Sequence, residues 1–402
     1  MYIERAMEKQ VVEASRLHPV LLLTGPRKSG KTTMLTRLSD GRKYVSLNDL
    51  NERFLAQCEP ELFLQRYKPP VYIDDLQYAP QLLPHIKKII DGSDHQMGDF
   101  WLASSYDISA TAQELLLDKI KILRLWGLSA AEIYEYPSEP FVIYPKYLRE
   151  RSSNNSRYAR DLLNIYTDII KGSMPAIYSS KHSEGYYERY LNEFLLRDVK
   201  EFAKVDNTMQ FYQFMVSIAA NTSKPLVYED IAKQVGASAT TIKRWVNMLA
   251  ASGLVAIIHP IRDATLKRAV IKMPLIYFLD VGLCAYLLKW ASPETLERGA
   301  MSEAFFKSYA FAEIYKSYLN AGKEPIFKYY RDKERNQIDL VHVEDDTLWP
   351  IILSKSVFIE NAVDAFGLLA LTGKVGSGAV VTITQTLQPI NKTNWCVPVW
   401  MV

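Results

Sequence analysis

A short segment near the N-terminus combines glycines, a lysine and hydroxyl side chains at a spacing suited to binding phosphates. The apolar run Val20–Leu23 leads into Gly25–Thr32, which reads G-x-x-x-x-G-K-T, and a helix-compatible run follows. A strand, a glycine-rich loop and a helix in this order are typical of a P-loop, where backbone N–H groups surround the phosphates. The segment predicts a nucleoside triphosphate site, although the same letters also occur by chance in ordinary loops.

Each residue type in this loop has its own expected role. Gly25 and Gly30 allow backbone conformations that other residues avoid. Lys31 is expected to reach the β- and γ-phosphates, and the Thr32 hydroxyl is expected to ligate Mg²⁺. The predicted nucleotide-binding loop consists of Gly25, Pro26, Arg27, Lys28, Ser29, Gly30, Lys31, Thr32 and Thr33.

Two adjacent acids follow a second apolar run. Pro69-Pro70 ends a helical stretch, and Val71–Ile73 then leads into Asp74 and Asp75. We expect Asp74 to hold Mg²⁺ through water and Asp75 to orient the attacking water or accept its proton. Two acids after a strand also occur in solvated loops, so this interpretation depends on the P-loop upstream.

Two hydroxyl residues, Ser104 and Ser105, follow the apolar run Phe100–Ala103. In some P-loop ATPases an additional strand lies between the strand that precedes the P-loop and the strand that precedes the acids. A polar residue at the end of this additional strand senses the γ-phosphate. Ser104 or Ser105 is therefore a sensor candidate. The alternative is that these hydroxyls cap the next helix.

The elements that position these residues are strand-like runs alternating with helical stretches up to about residue 135. Such alternation predicts an α/β fold with a parallel sheet covered on both faces. The Pro-, Tyr-, Ser- and Asn-rich stretch Pro137–Ser156 is interpreted as the connection to the second half.

The composition is that of a folded protein with more than one domain. The chain has 402 residues, 48% of them hydrophobic and 23% charged, with a net charge of +3. Bulk charge therefore does not indicate a nucleic-acid binder. The cysteines, Cys58, Cys284 and Cys396, lack metal-ligand spacing, and we expect them to be reduced in a cytoplasmic protein. No segment approaches the roughly 18 apolar residues of a membrane span.

At this point the sequence resembles a known family. The segments LLLTGPRKSGKTT, YVSLND, PPVYIDDLQYAPQLLPHIK and LSAAEI are similar to the N-terminal ATPase domain of a large prokaryotic AAA-type family with a C-terminal domain of unknown function. The resemblance covers nearly the whole chain and implies ATP and Mg²⁺ as ligands. Two departures imply slow hydrolysis: Asp75 stands where the family has Glu, and Asp118-Lys119 replaces a Gly-Arg that is a candidate arginine finger.

The segment Val227–Leu249 is typical of a helix-turn-helix, with a turn at Gly236 and a cap at Ser238, and a wing strand follows. We interpret the region as a winged helix. Lys243 and Arg244 on its second helix are candidate DNA contacts, as are the basic residues of the wing, Arg262, Lys267, Arg268 and Lys272. Such domains in ATPases also serve as lids or protein-docking modules, so both interpretations stay open.

The segment from Met301 onwards resembles the family's restriction-endonuclease-like module. Asp339 and Glu313 match two of its metal-binding acids, but Ile352-Leu353-Ser354 stands where Glu-x-Lys is expected, and Lys307 occupies a position that is often Glu. An apolar residue cannot ligate a metal, so we expect an inert, degenerate module.

The sequence therefore predicts four regions: an ATPase domain at 1–135, a linker and helical segment at 136–205, a winged helix at 206–292 and a degenerate nuclease-like domain at 293–402. The leading hypothesis is a slow Mg²⁺-dependent ATPase whose nucleotide state moves the C-terminal half. The alternative is an ATP-binding, nucleic-acid-binding regulator or defence-type switch with little hydrolysis, and an active nuclease is the least favoured. DNA and a protein partner are both candidate partners.

Overall fold

Five parallel strands form the N-terminal sheet in the computed structural model, which describes residues 2–39, 41–92, 94–179, 184–203, 205, 207–261, 272–334, 336–356 and 363–402. The strands are β1 (Val20–Thr24), β2 (Lys43–Ser46), β3 (Val71–Asp74), β4 (Phe100–Ser104) and β5 (Ile120–Arg124). Their order is β2-β3-β4-β1-β5, and every neighbouring pair is parallel. The predicted α/β fold is confirmed, and β4 is the additional strand between β1 and β3.

Helices cover both faces of this sheet because its strands are apolar on both sides. Val20 and Leu22 of β1 pack into one buried cluster, whereas Leu21 and Leu23 pack into another. The helices of this half are α1 (Glu8–Leu17), α2 (Lys31–Leu38), α3 (Leu50–Cys58), α4 (Pro60–Arg66), α5 (Leu82–Ile90), α6 (Ser109–Leu116) and α7 (Ala130–Ile133).

The stretch interpreted from sequence as an inter-domain connection is packed structure. Phe141 and Ile143 are buried in a core cluster, and α8 (Pro145–Asn155) follows directly, with Leu148 buried. Proline at the first helical position allows this helix to begin. The Ser- and Asn-rich composition suggested a loop, but these three apolar side chains are buried, and the backbone of Phe141 is hydrogen-bonded to Ser317 and Tyr318.

A helical region follows, with α9 (Leu162–Lys171), α10 (Pro175–Ser179), α11 (Tyr186–Glu193), a π-helical turn (Phe194–Ala203), α12 (Thr208–Ala220), α13 (Tyr228–Val235), α14 (Ala239–Ala251), α15 (Val281–Leu287) and α16 (Pro293–Arg298). The short strands β6 (Lys224–Pro225), β7 (Val255–Ile258) and β8 (Leu275–Phe278) form a sheet of order β6-β8-β7. Ser238 caps α14 by accepting the N–H of Thr241 at 3.0 Å. The winged-helix assignment itself stays a prediction.

The C-terminal region packs a long helix, α17 (Ser302–Asn320), against a mixed sheet. Its strands are β9 (Ile326–Arg331), β10 (Gln337–Glu344), β11 (Thr347–Leu353), β12 (Lys374–Val375), β13 (Gly378–Thr382), β14 (Gln388–Pro389) and β15 (Asn394–Pro398). The order is β14-β15-β13-β11-β10-β9, with β12 beside β11. One hydrophobic cluster extends from Phe141 to Val402, so the helical and C-terminal regions share a core. None of the described helices is both long and apolar enough to cross a membrane.

Candidate nucleotide-binding site

The P-loop connects the carboxyl end of β1 to the start of α2. Gly25 has a φ of 148°, and a Cβ at this position would lie 1.9 Å from the carbonyl oxygen of Leu125. Gly30, with a φ of 98°, turns the chain into α2. Only glycine tolerates the first of these positions, because the loop runs directly against the backbone that follows β5.

Lys31 is the first residue of α2, and its side chain is buried. Its Nζ donates to the carbonyl oxygens of Gly25 and Pro26, at 2.8 Å each. Burial lowers the pKa of Lys31 to about 8, against an ordinary value of 10.5, although the carboxylates of Asp74 and Asp75 oppose this shift. The ammonium group therefore lies inside the loop that would surround the phosphates.

ATP affinity is expected to fall as the pH rises above about 8. Below this value Lys31 is protonated and carries the positive charge that attracts phosphates. Above about 8, and well below its ordinary pKa of 10.5, Lys31 of the free protein is already largely neutral. Binding must then take up a proton, so affinity falls by as much as about tenfold per pH unit. Calorimetric titrations across this range measure the effect, and Lys31→Arg is the control because arginine stays charged. A constant affinity in the wild type would contradict the prediction.

Thr32 and Asp74 meet at the predicted magnesium site. The Thr32 hydroxyl donates to Oδ2 of Asp74 at 2.6 Å. Burial raises the pKa of Asp74, and the negative charge of Asp75 adds to this, while Thr32 and Lys31 oppose it. A hydroxyl and a carboxylate side by side are the oxygen ligands that Mg²⁺ prefers. These two residues therefore fit the ion predicted from the sequence.

Asp75 follows the end of β3 in a left-handed conformation, with a φ of 60°. Its Oδ1 accepts a hydrogen bond from Nε2 of Gln77 at 2.9 Å, and its Oδ2 accepts one from the Ser46 hydroxyl at 3.3 Å. Both carboxylate oxygens are thus held by neutral donors. Asp75 borders the cavity described below, as expected for a residue that would orient water.

The two sensor candidates have different surroundings. The Ser104 hydroxyl is fully buried and donates to the carbonyl oxygen of Tyr106 in its own turn. Ser105 borders the same cavity as Asp75, and its N–H donates to Oε1 of Gln77 at 2.9 Å. Neither hydroxyl caps α6, whose first N–H is held by Asp107. Ser105 is therefore the better placed of the two candidates for contact with a γ-phosphate.

These residues surround a cavity of about 540 Å³. Its walls come from the P-loop and α2 (Arg27, Lys28, Gly30, Lys31, Thr32, Thr33), from Asp75 and Ser105, from the N-terminal segment (Tyr2, Ile3, Arg5) and from α10 (Pro175, Ala176, Ser179). The sequence predicted the first two groups but not the others. No local motif identifies a residue that reaches the site only through packing.

Arg5 is one of the residues that the sequence analysis missed. Its guanidinium is 3% exposed, pairs with Glu132 at 2.9 Å and donates to the carbonyl oxygen of Ser29 at 2.7 Å. Arg5 therefore holds the P-loop backbone at Ser29. A single arginine in the segment before α1 carries no sequence signal of this role.

Helical residues from the second half contact the P-loop directly. Arg27 forms a two-pronged ion pair with Asp198, at 2.6 Å and 2.9 Å, and Lys28 pairs with Glu193 at 3.2 Å. The Arg27–Asp198 pair is largely buried, whereas both partners of the Lys28–Glu193 pair are more than one third exposed. A Cβ on Gly253 would lie 2.9 Å from Cδ of Pro26. The P-loop is therefore in contact with α11, with the π-helical turn that follows it, and with the turn after α14.

The two candidate nucleic-acid contacts, Lys243 and Arg244, are exposed on α14. Among the basic residues expected on the wing, Lys272 is also exposed. Arg262, Lys267 and Arg268 lie outside the described residues. DNA contact stays a prediction.

Asp339 lies on β10 and is 2% exposed. Its Oδ1 accepts from Nζ of Lys307 at 2.8 Å, and its Oδ2 accepts from the N–H of Leu353 at 2.9 Å. The two carboxylate oxygens of Asp339 thus already accept hydrogen bonds, one from an ammonium group and one from a backbone N–H. Among the described residues no cluster of three or more His, Cys, Asp or Glu could hold a metal ion.

Glu313, the second acid that matches the nuclease-like pattern, contacts other groups than Asp339. Its Oε2 accepts the N–H of Ala130 in the N-terminal domain at 2.8 Å, and its Oε1 pairs with Lys316 at 2.5 Å. Lys307, which does reach Asp339, lies six residues earlier on α17, a rise of about 9 Å along the helix. Glu313 therefore joins the two halves of the protein.

Comparisons with known proteins agree with the N-terminal part of this picture. Residues 17–134 match the family profile of an AAA domain, and residues 163–294 match that of a domain of unknown function. Uncharacterized proteins of Mycobacterium tuberculosis and Mycobacterium bovis are each 22% identical over 327 residues, which is 80% of this chain and 67% of the relative. The AAA match confirms the prediction of an AAA-type P-loop domain with a nucleotide-binding, ATPase-like character.

Two solved structures show weaker similarity. The Walker-type ATPase of Pyrococcus abyssi has a TM-score of 0.42 at 10% identity, covering 71% of this chain and 96% of that protein. A signal transduction ATPase with numerous domains (STAND) from Pyrococcus horikoshii, which carries a tetratricopeptide repeat sensor, has a TM-score of 0.25 at 12% identity, covering 78% and 48% respectively.

Proposed function

We propose that this protein with an AAA-type P-loop domain binds ATP with Mg²⁺, hydrolyses it slowly, and uses its nucleotide state to move the C-terminal half. The observation that carries the proposal is the composition of the cavity walls. P-loop residues and Asp75 form one side, and Pro175, Ala176 and Ser179 of α10 form another. A nucleotide held there would touch both halves of the chain at once.

The expected chemistry follows from the residues around the cavity. Lys31 binds the β- and γ-phosphates, and Thr32 and Asp74 would hold Mg²⁺, which neutralises charge on the phosphates when it is bound. Asp75 orients water and accepts its proton. Its carboxylate is one methylene shorter than the family's glutamate, a difference of roughly 1.5 Å, and a shift of this size is enough to slow a reaction. Slow turnover is the expected consequence.

Coupling between the halves is proposed to run through Arg27 and Asp198. The guanidinium of Arg27 borders the nucleotide cavity and is held by an acid of the π-helical turn. Phosphate groups in the cavity would attract Arg27 and repel Asp198, since like charges oppose each other strongly at a poorly solvated site. Nucleotide binding would therefore weaken the contact between the P-loop and the second half.

Asp198→Asn is expected to raise ATP affinity by about tenfold, because the nucleotide no longer competes with a carboxylate for Arg27. Glu193→Gln is the matched control, since it removes the exposed partner of Lys28 in the same helical region and should change affinity less than about twofold. Calorimetry measures both affinities, and hydrogen exchange of residues 186–203 with and without ATP reports the movement. An affinity that is unchanged or lower in Asp198→Asn would contradict this coupling.

The second candidate function is an ATP-binding, nucleic-acid-binding regulator with little hydrolysis. The exposure of Lys243 and Arg244 favours it. Against it, the end of α14 lies on the N-terminal domain, where the carbonyl oxygen of Ala251 accepts the N–H of Asp107 at 2.7 Å. This contact leaves less room for duplex DNA to approach the helix. Comparing ATP turnover with and without duplex DNA separates the two candidates. A nuclease is least favoured, because Lys307 neutralises Asp339.

A further inference from the structure

The turn after β3 carries a buried glutamine that joins two separate parts of the cavity wall. Gln77 is 6% exposed and lies in the short 3₁₀ turn Leu76–Tyr78. Its Nε2 donates to Oδ1 of Asp75 at 2.9 Å, and its Oε1 accepts the N–H of Ser105 at 2.9 Å. One amide group therefore satisfies an acid at the end of β3 and a backbone donor after β4.

From this arrangement we propose that Gln77 is a positioning residue, which fixes the water-orienting carboxylate of Asp75 relative to Ser105. The inference rests on the proposed function and assigns a role within the same site. The amide is suited to it because it has a donor at one end and an acceptor at the other. The carboxylate of Asp75 can only accept hydrogen bonds, so it pairs with Nε2 of Gln77. The backbone N–H of Ser105 can only donate, so it pairs with Oε1 of Gln77.

The geometry explains why the carboxylate needs such support. Asp75 has a left-handed backbone conformation that is uncommon for a non-glycine residue. Among the described residues, its second oxygen accepts the longer, 3.3 Å contact from Ser46. Without Gln77, the carboxylate of Asp75 would lose its shorter hydrogen bond and could rotate away from the cavity about the weaker Ser46 contact. The distance between the attacking water and the Ser105 loop would then no longer be fixed.

Gln77→Met tests this role, because methionine keeps the length of the side chain and removes both hydrogen bonds. We expect kcat to fall by about 100-fold, the usual effect of misplacing a reacting group by about 1 Å, while the affinities for ADP and Mg²⁺ stay unchanged. Gln77→Glu keeps the acceptor for Ser105 but places a second carboxylate against Asp75, so it should lose activity to a similar degree. A purely structural role would lower the melting temperature and ADP affinity instead.

Gln57→Met is the matched control. Gln57 donates to the carbonyl oxygen of Tyr78 at 2.6 Å, so it supports the same turn without touching Asp75 or Ser105. We expect its kcat to stay within about twofold of the wild type.

A binding measurement that needs no turnover separates the inference from the proposed function. The wild type should bind ADP with aluminium fluoride and Mg²⁺, a mimic of the transferring phosphoryl group, more tightly than ADP alone. Gln77→Met should lose about 100-fold of that gain. If the wild type hydrolyses ATP and shows the gain, and Gln77→Met changes neither, the positioning role is overturned by itself. If the wild type binds ADP but shows neither gain nor turnover, the proposed hydrolysis fails and the positioning role fails with it.

Discussion

Lys31→Ala is expected to remove ATP binding from the range that calorimetry detects, a loss of about 100-fold or more. Charged hydrogen bonds each contribute about 1.5 to 3 kcal/mol, and Lys31 is expected to make them to two phosphates. The other cations of the loop, Arg27 and Lys28, already pair with acids of the second half. They would have to leave these pairs to contact phosphates, so they compensate for the loss of Lys31 only in part. Isothermal titration with ATP and Mg²⁺ is the measurement.

Two controls make this result interpretable. Lys28→Ala removes a lysine from the same loop, but this side chain is 47% exposed, so ATP affinity should change by less than about tenfold. Because Lys31 is buried rather than solvent-facing, its removal also leaves the carbonyl oxygens of Gly25 and Pro26 without this donor. Thermal unfolding should therefore accompany the titration. A folded Lys31→Ala protein with unchanged ATP affinity would refute the P-loop assignment.

The second large effect is expected at Lys307 and concerns stability. Lys307→Ala leaves the 2% exposed carboxylate of Asp339 without its cation. Breaking a buried ion pair from one side costs about 3 to 5 kcal/mol. Gln337 and Leu353 would still donate hydrogen bonds to Asp339, so we expect the free energy of unfolding to fall by about 3 kcal/mol, the lower end of this range. Urea denaturation measures the free energy of unfolding.

Lys146→Ala is the control for that experiment, because its pair with Glu150 is solvent-exposed and worth less than about 0.5 kcal/mol. If Lys307→Ala lowers the free energy of unfolding as little as Lys146→Ala does, the buried charge of Asp339 does not depend on Lys307. We also expect no Mg²⁺- or Mn²⁺-dependent cleavage of DNA or RNA by the wild type. Metal-dependent nicking that disappears in Asp339→Ala would show instead that the module is an active nuclease.

The sequence by itself determined the elements of the candidate nucleotide site, because their signals are local. The G-x-x-x-x-G-K-T spacing, the acids after β3 and the hydroxyls after β4 each follow an apolar run within a few residues. Parallel strands with covered faces then require that their carboxyl ends meet at one edge. The sheet and the meeting of Thr32, Asp74 and Asp75 could therefore be anticipated.

The tertiary structure alone decided what completes and restrains this site. Arg5 and α10 reach the cavity, and Asp198 reaches Arg27, across separations of up to 171 residues. The same packing turned Ser104 away from the cavity and directed Glu313 to Ala130 instead of Asp339. Sequence spacing fixes which residues are neighbours along one helix or strand, but contacts between distant elements depend on how their apolar faces pack, and no local pattern records that.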